Sequence, residues 1–216
     1  MAHPYWPLFD LRVRTPRLEI RLPTDDDLVA LVQLIDQGIH DPATMPFLQP
    51  FTDAPAPARQ RQALQWWWGK RAAWQPDDWT FTGAVVVDGT VVGVQDLSAA
   101  SFGVLGKVST GSWLGRAHQG RGLGAEMRAA IVHLAFAGLG AVEAHSSAFA
   151  DNGASLAVSR ALGYVHNGEE VALRRGRRDR VVNLRLDHSV WEATRRHDIT
   201  IDGLAGCLDL FGLPLV

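Results

Sequence analysis

The chain has 216 residues, 47% of them apolar and 20% charged, enough for one well-buried domain with appendages and far from disordered or fibrous composition. A formal net charge of -2 supplies no overall pull toward nucleic acid or an anionic membrane. The single cysteine, Cys207, excludes an internal disulfide framework and a cysteine-rich metal site and fits a reducing compartment.

The first eleven residues lack the basic start and apolar run of a secretory signal, so a cytoplasmic location is expected. The most apolar long stretch, residues 129–142, is interrupted by His133 and falls short of the roughly 20 residues a membrane span needs. Arg17-Leu18-Glu19-Ile20-Arg21-Leu22 alternates polar and apolar side chains, which predicts a half-buried strand. Thr24 with Asp27 three residues later then caps a helix carrying Leu28, Leu31, Leu34 and Ile35 on one face, and Gly38 ends it. Prolines at 42, 46, 50, 55 and 57 forbid a regular helix, so a structured loop precedes a second helix from about 57 to 74.

Strand signals follow at residues 80–87, 91–97 and 108–114, the first two joined at Asp88-Gly89, as an antiparallel meander. Met127, Ile131 and Leu134 mark a helix over 122–137, stopped by Gly138 and Gly140. A strand over 142–149, a helix over 152–162 ended by Gly163, and strands over 164–173 and 180–186 complete a mixed α/β pattern without internal repeats.

Gln119-Gly120-Arg121-Gly122-Leu123-Gly124 lies between a strand and a helix. Glycines there let backbone N–H groups close on phosphate oxygens at the positive end of the helix, a geometry suited to a diphosphate. A nucleoside-triphosphate loop would need Lys and then Ser or Thr after its last glycine, whereas Ala125 and Glu126 follow Gly124. A dinucleotide fingerprint would need Gly-x-Gly-x-x-Gly after the first strand of a parallel unit, and the spacing here is Gly-x-Gly-x-Gly. A ligand-free turn remains the structural alternative.

Gln119, Gly122 and Gly124 match the signature of the GNAT superfamily of N-acetyltransferases, which the chain resembles over roughly residues 12–187. Gly111-Ser112-Trp113-Leu114-Gly115, Thr15-Pro16-Arg17-Leu18 and Asp151-Asn152 with Ser155, Leu162, Gly163 and Tyr164 look like its ribosomal-protein-N-terminal acetyltransferase branch. The resemblance implies a mixed, mostly antiparallel sheet flanked by helices, whose splayed central strands form a wedge for coenzyme A. By that resemblance, backbone groups at Trp113 and Leu114 bond pantetheine, while Gln119, Gly120, Arg121, Gly122, Leu123, Gly124 and Ala125 bind the diphosphate. Asn152 then contacts the pantetheine arm, and Ser155 donates a proton to the departing thiolate. The co-substrate is acetyl-CoA by default or succinyl-CoA, since the motif reads the CoA and not the acyl chain, and no metal is required.

The general base is less defined. A lysine amine has an ordinary pKa near 10.4 and a protein α-amine about 7.7 to 8.0, so acceptor identity changes the help required. Some relatives carry a glutamate on the strand before the glycine turn, where this chain reads Val108-Ser109-Thr110-Gly111-Ser112. Asp96 interrupts an apolar strand and is the first candidate for a base or amine-binding group, with Glu143 and His145 as alternatives on a later strand. The loop containing His40, Asp41 and Phe47 is expected to wall the acceptor pocket. Trp67 belongs to a run of three tryptophans that cannot all face one core on a helix, and it is expected to join that wall.

Arg174-Arg175-Gly176-Arg177-Arg178-Asp179-Arg180 reads as a solvated hairpin or as a recruiter of an acidic acceptor. Residues 1–188 are expected to form the acyltransferase domain. Residues 189–216, apolar at their end, are expected to dock on that domain or on a sister chain, leaving homo-oligomerisation open. The expected acceptor is an amine: a protein N-terminus, a lysine or a small molecule. A noncatalytic acyl-CoA sensor is the alternative reading.

Overall fold

The computed structural model describes residues 3–215. β1 (Arg12–Arg14) leads through a turn, in which the Thr15 N–H donates to the Leu18 carbonyl at 2.9 Å, to β2 (Glu19–Arg21), which is therefore shorter than the alternation at 17–22 suggests. α1 (Asp25–Gln37) begins in a capping box, in which Thr24 accepts from the Asp27 N–H while the Asp27 carboxylate accepts from the Thr24 N–H. α2 (Ala58–Ala72) follows the proline loop.

β3 (Asp78–Val87) and β4 (Thr90–Ala100) form the hairpin turned at Asp88-Gly89. A one-turn helix absent from the sequence reading, α3 (Phe102–Leu105), leads to β5 (Lys107–Leu114). α4 (Leu123–His133) stops earlier than expected. The chain continues as a π-helical turn, Leu134–Gly138, in which the Leu139 N–H reaches back five residues to the Leu134 carbonyl at 2.9 Å.

β6 (Glu143–Phe149) and α5 (Gly153–Ala161) precede the hairpin of β7 (Val165–Arg174) and β8 (Arg177–Asp187). Tyr164 does not open β7, since its N–H is spent on the Ser159 carbonyl at the end of α5. α6 (His188–Thr194) and β9 (Thr200–Asp202) complete the chain, β9 being a strand that the sequence reading did not distinguish.

Among the described residues, nine strands form one sheet in the order β7-β8-β6-β5-β4-β3-β2-β1-β9. Every pairing is antiparallel except β5 with β6. α1 and α2 cover one face through Leu28, Leu31, Ile35 and Trp67. α4 and the C-terminal segment cover the other, where Trp74 and Trp79 stack at 5.9 Å and both rings meet Phe211 edge-on. Cys207 and Trp191 are buried in that same core, and β9 pairs with β1. No helix among the described residues is long and apolar enough to cross a membrane.

The β5–β6 pair positions the site. Its ladder runs Lys107 to Glu143, Val108 to Ala144 and Ser109 to His145, and then ends although both strands continue. At that point the Thr110 hydroxyl donates to the His145 carbonyl at 3.1 Å. Beyond it the strands part.

Candidate functional site

The opening between the parted strands widens into a cleft of about 850 Å³, within the usual range for ligand pockets. β5 supplies Thr110 to Leu114 as one wall, and β6 supplies Ser146 to Phe149 as the other. The start of α4 and the start of α5, which pack against each other, complete the lining.

The glycine turn is built around backbone shape. Gly120 and Gly122 sit at φ +73° and +77°, a region that penalises any side chain. Gly122 is the N-cap of α4, and the first helical N–H to bond backward is that of Glu126, to the Gly122 carbonyl at 3.2 Å. The N–H groups of Leu123, Gly124 and Ala125 therefore start the helix without an intrahelical partner, at the positive end of its dipole. Gln119, Gly120, Gly122, Gly124 and Ala125 line the cleft. Leu123 is buried in the core instead, and the exposed Arg121 side chain also stands outside the lining.

Gln119 braces the turn. Its Nε2 donates to the Leu114 carbonyl and to the Ile39 carbonyl, each at 2.8 Å, tying the end of β5 to the loop after α1. Glu126 anchors the turn from behind, with Thr15 Oγ1 at 2.5 Å and the Arg17 guanidinium on its carboxylate. Burial would raise the Glu126 pKa, but these hydrogen bonds and the Arg17 charge outweigh it and hold it below the ordinary value. The Arg17 guanidinium also donates to the Arg121 carbonyl at 3.1 Å.

Asn152 caps α5 by accepting from the Ser155 N–H at 3.1 Å, and both residues line the cleft. Trp113 and Leu114 line it from β5. His40, Asp41 and Phe47 line it from the α1–α2 loop. His40 is held by Thr52 at 2.8 Å and lies edge-on to Phe47 at 5.5 Å between ring centres.

Trp67 is a correction. It is buried between α2, α1 and the sheet and does not line the cleft, because the helical period turns it inward while Trp66 and Trp68 stay half exposed.

Asp96 does not line the cleft directly but sits one strand behind it. It pairs across β4 and β5 with Gly111, which does line the cleft, and a Cβ at Gly111 would lie 3.8 Å from an Asp96 carboxylate oxygen. The other oxygen is buried without a hydrogen-bond partner among the described residues. Burial pushes the Asp96 pKa up to about 7, with the charge of Lys70 on α2 opposing the rise. Glu143 and His145 bond to each other at 3.0 Å, and neither lines the cleft.

Three arginines at or beside the cleft make contacts that the sequence, read as a solvated hairpin or a recruiter of an acidic acceptor at 174–180, did not reveal. Arg174, at the end of β7, lies over the Phe149 ring at 4.3 Å and donates to the Met45 carbonyl at 2.7 Å. Arg175 beside it grips Asp53. The basic run is thus partly spent on internal contacts. Third, Arg128 on α4 reaches Ser112 on β5 and Ser146 on β6, each at 3.0 Å. Its position in the stripe Gly124, Met127, Arg128, Ile131 was the available signal, a charged residue where helical spacing demands an apolar one. Among the described residues, no three His, Cys, Asp or Glu side chains gather to hold a metal ion.

A model of the acetyltransferase (GNAT) domain family matches residues 17–165. The fold is similar to that of Mycobacterium smegmatis RimJ in complex with CoA-disulfide, with a TM-score of 0.70 and 17% identity over 87% of this chain and 95% of that one. It is also similar to RimL, a ribosomal L7/L12 alpha-N-protein acetyltransferase in complex with coenzyme A, with a TM-score of 0.67 and 19% identity over 80% of this chain and 95% of that one. An acetyl transferase from Salmonella typhimurium, described as modifying the N-terminal serine of 50S ribosomal subunit protein L7/L12, matches with a TM-score of 0.66 and 19% identity over 80% and 96%. At these identities the likeness is one of fold.

Proposed function

Because the chain belongs to the GNAT acetyltransferase family, we propose that it moves an acyl group directly from an acyl-CoA thioester to a primary amine, in the cytoplasm. The observation that carries this reading is the convergence on one cleft of the glycine turn at the start of α4, the parted β5 and β6, and Asn152 with Ser155 at the start of α5. The turn would hold the CoA diphosphate on backbone N–H groups, and the unpaired edge of β5 at Trp113 and Leu114 would bond pantetheine. A β5 N–H freed by the splay would stabilise the oxyanion formed when the amine attacks the thioester carbonyl.

In this mechanism a C–N bond forms as the C–S bond breaks. The ammonium loses its first proton through a water, across the bare Gly111 position, to Asp96, and the attacking nitrogen gives up its second to solvent as the tetrahedral intermediate collapses to the amide. Ser155 donates a proton to the departing thiolate and recovers one from solvent. The pKa of Asp96, about 7, favours a protein α-amine as acceptor. A base at that value lies within about a unit of an α-amine near 7.7 to 8.0, but more than three units from a lysine near 10.4, a difference of roughly 3 to 4 kcal/mol in proton transfer. The His40, Asp41 and Phe47 wall would receive the acceptor, and either an acetyl or a succinyl donor would satisfy the turn.

The test has two stages. Thermal stabilisation is measured with CoA, acetyl-CoA and succinyl-CoA, and thiol release is then followed against peptide N-termini, lysine side chains and small amines. Stabilisation together with amine-dependent thiol release supports the proposal. Stabilisation without thiol release on any amine would leave a CoA-binding module, and no stabilisation by any of the three would remove the CoA site itself.

A further inference from the structure

Arg128 is 3% exposed, and its guanidinium spans the floor of the cleft between the parted strands. Nη1 donates to Ser146 and Nη2 to Ser112, while Nε is buried with no partner among the described residues. Its polar neighbours carry no charge. Ser112 and Ser146 are neutral, and Tyr164, which also sits close enough for its field to be felt, has its hydroxyl pKa raised by burial and stays protonated. Burial lowers the Arg128 pKa, but a guanidinium starts so high that it remains a cation at neutral pH.

A buried charge without a counter-charge is costly, and proteins otherwise pair such groups or leave them out. By contrast, the cluster Arg12, Arg14, Arg17 and Arg21 on and beside β1 and β2 is matched by Glu19, Asp27, Glu126 and Asp202. Arg128 therefore stands out as a cation whose partner is to be sought outside the protein.

Its place indicates which part of a ligand that partner belongs to. An acyl-CoA held at the glycine turn runs inward along β5 past Leu114 and Trp113. Ser112 is the next residue inward, and Ser146 is the first on β6 beyond the last paired residue, His145. The guanidinium thus floors the inner end of the wedge, where the acyl tail beyond the thioester would lie. An acetyl methyl would leave the cation unmatched there. A chain ending in a carboxylate would meet both the charge and the free N–H.

We propose, building on the acyltransferase reading above, that Arg128 selects the acyl group and that the donor is a dicarboxylic acyl-CoA, with succinyl-CoA the four-carbon case. Transfer then yields an N-succinyl amide with a free carboxylate plus CoA thiol, by the same bond changes as acetyl transfer.

Calorimetric titration of the intact protein with CoA, acetyl-CoA and succinyl-CoA, paired with initial rates of each donor against one amine, tests this. Succinyl-CoA is expected to bind roughly tenfold or more tightly than acetyl-CoA, in keeping with the strength of charge-assisted hydrogen bonds. Arg128→Met is expected to reverse that order and to melt no lower than the parent, since an uncompensated buried charge is replaced by an apolar chain of similar length. Equal or weaker use of succinyl-CoA by the parent overturns the inference, and so does an equal loss for both donors in Arg128→Met, which would instead mark a role toward the common thiolate. Should Arg128→Met fail to fold, the parent's donor ratio alone decides. CoA binding without a succinyl preference defeats only this inference, whereas absence of CoA binding defeats the acyltransferase reading beneath it.

Discussion

Arg175 at the tip of the β7–β8 hairpin clamps Asp53 in the proline loop through two hydrogen bonds, Nε to Oδ2 at 2.8 Å and Nη2 to Oδ1 at 2.6 Å. The clamp joins residues far apart in sequence, and Arg175 also donates to the Pro42 carbonyl at 3.1 Å. Both side chains are substantially solvent-exposed, so the clamp adds little to stability, but it ties the loop carrying the cleft-lining Asp41 and Thr44 to the hairpin carrying the cleft-lining Arg174. Asp53→Ala is expected to leave the melting temperature nearly unchanged while raising KM for the acceptor several-fold, as steady-state kinetics would show. The Arg175 hydrogen bond depresses the Asp53 pKa, so the clamp is intact above the ordinary aspartate value and is lost as pH falls through the lower folded value. A KM insensitive to Asp53→Ala would remove the clamp from acceptor binding.

Asp96 governs the pH profile in the proposed mechanism. Its folded pKa of about 7 means that kcat/KM falls as pH drops below that value, because the base becomes protonated. Asp96→Asn is expected to lower kcat/KM by about 10² or more, the usual scale of a general base, and to remove the limb near pH 7. The stability trend runs the other way. A raised carboxyl pKa binds a proton more tightly in the folded state, so stability declines as pH rises from the ordinary value of 3.8 to about 7 and is level above it. Asp96→Asn should flatten that decline in melting experiments, and an unchanged acidic limb in the rate profile would transfer the role to another group.

Gly122 tests the donor turn. A Cβ there would lie 3.5 Å from an Arg17 nitrogen, ordinary contact, so the obstacle to a side chain is the φ of +77° and the loss of close approach by a ligand. Gly122→Val is expected to weaken CoA binding roughly tenfold or more through the strain of a β-branched residue in the left-handed region. Titration with CoA alone reads this, and unaltered affinity would place the diphosphate elsewhere.

Asn152 and Ser155 separate capping from chemistry. Asn152→Ala removes the α5 cap and should cost about 0.5–2 kcal/mol of stability. Asn152→Ser, which restores a capping oxygen, should recover stability without recovering CoA affinity. Ser155→Ala should lower kcat with little change in donor KM. Full recovery of affinity in Asn152→Ser would reduce Asn152 to a helix cap.

Much of this architecture is local and therefore legible before folding. The Thr24–Asp27 capping box, the turn at Asp88-Gly89 and the glycine start of α4 each depend on neighbours within a few residues. The three-tryptophan run shows where local reasoning stops. Helical period requires the three rings to diverge, but which one enters the core depends on how α2 lies against α1 and the sheet. Likewise, β9 exists because β1 offers it an edge, and the π-helical turn ends in Gly138, where a Cβ would come within 2.8 Å of Leu204 in the C-terminal segment.

Sequence by itself determined the glycine turn before α4 and the Asn152 cap of α5, since both are short motifs whose backbone geometry is encoded where they stand. Tertiary structure alone decided the floor of the cleft and the place of Asp96 behind it. The parting of β5 from β6, the burial of Arg128 between Ser112 and Ser146, and the approach of Asp96 to Gly111 are set by strands and helices meeting across long stretches of chain. Burial without a partner, the property that makes Arg128 and Asp96 informative, belongs to no single segment.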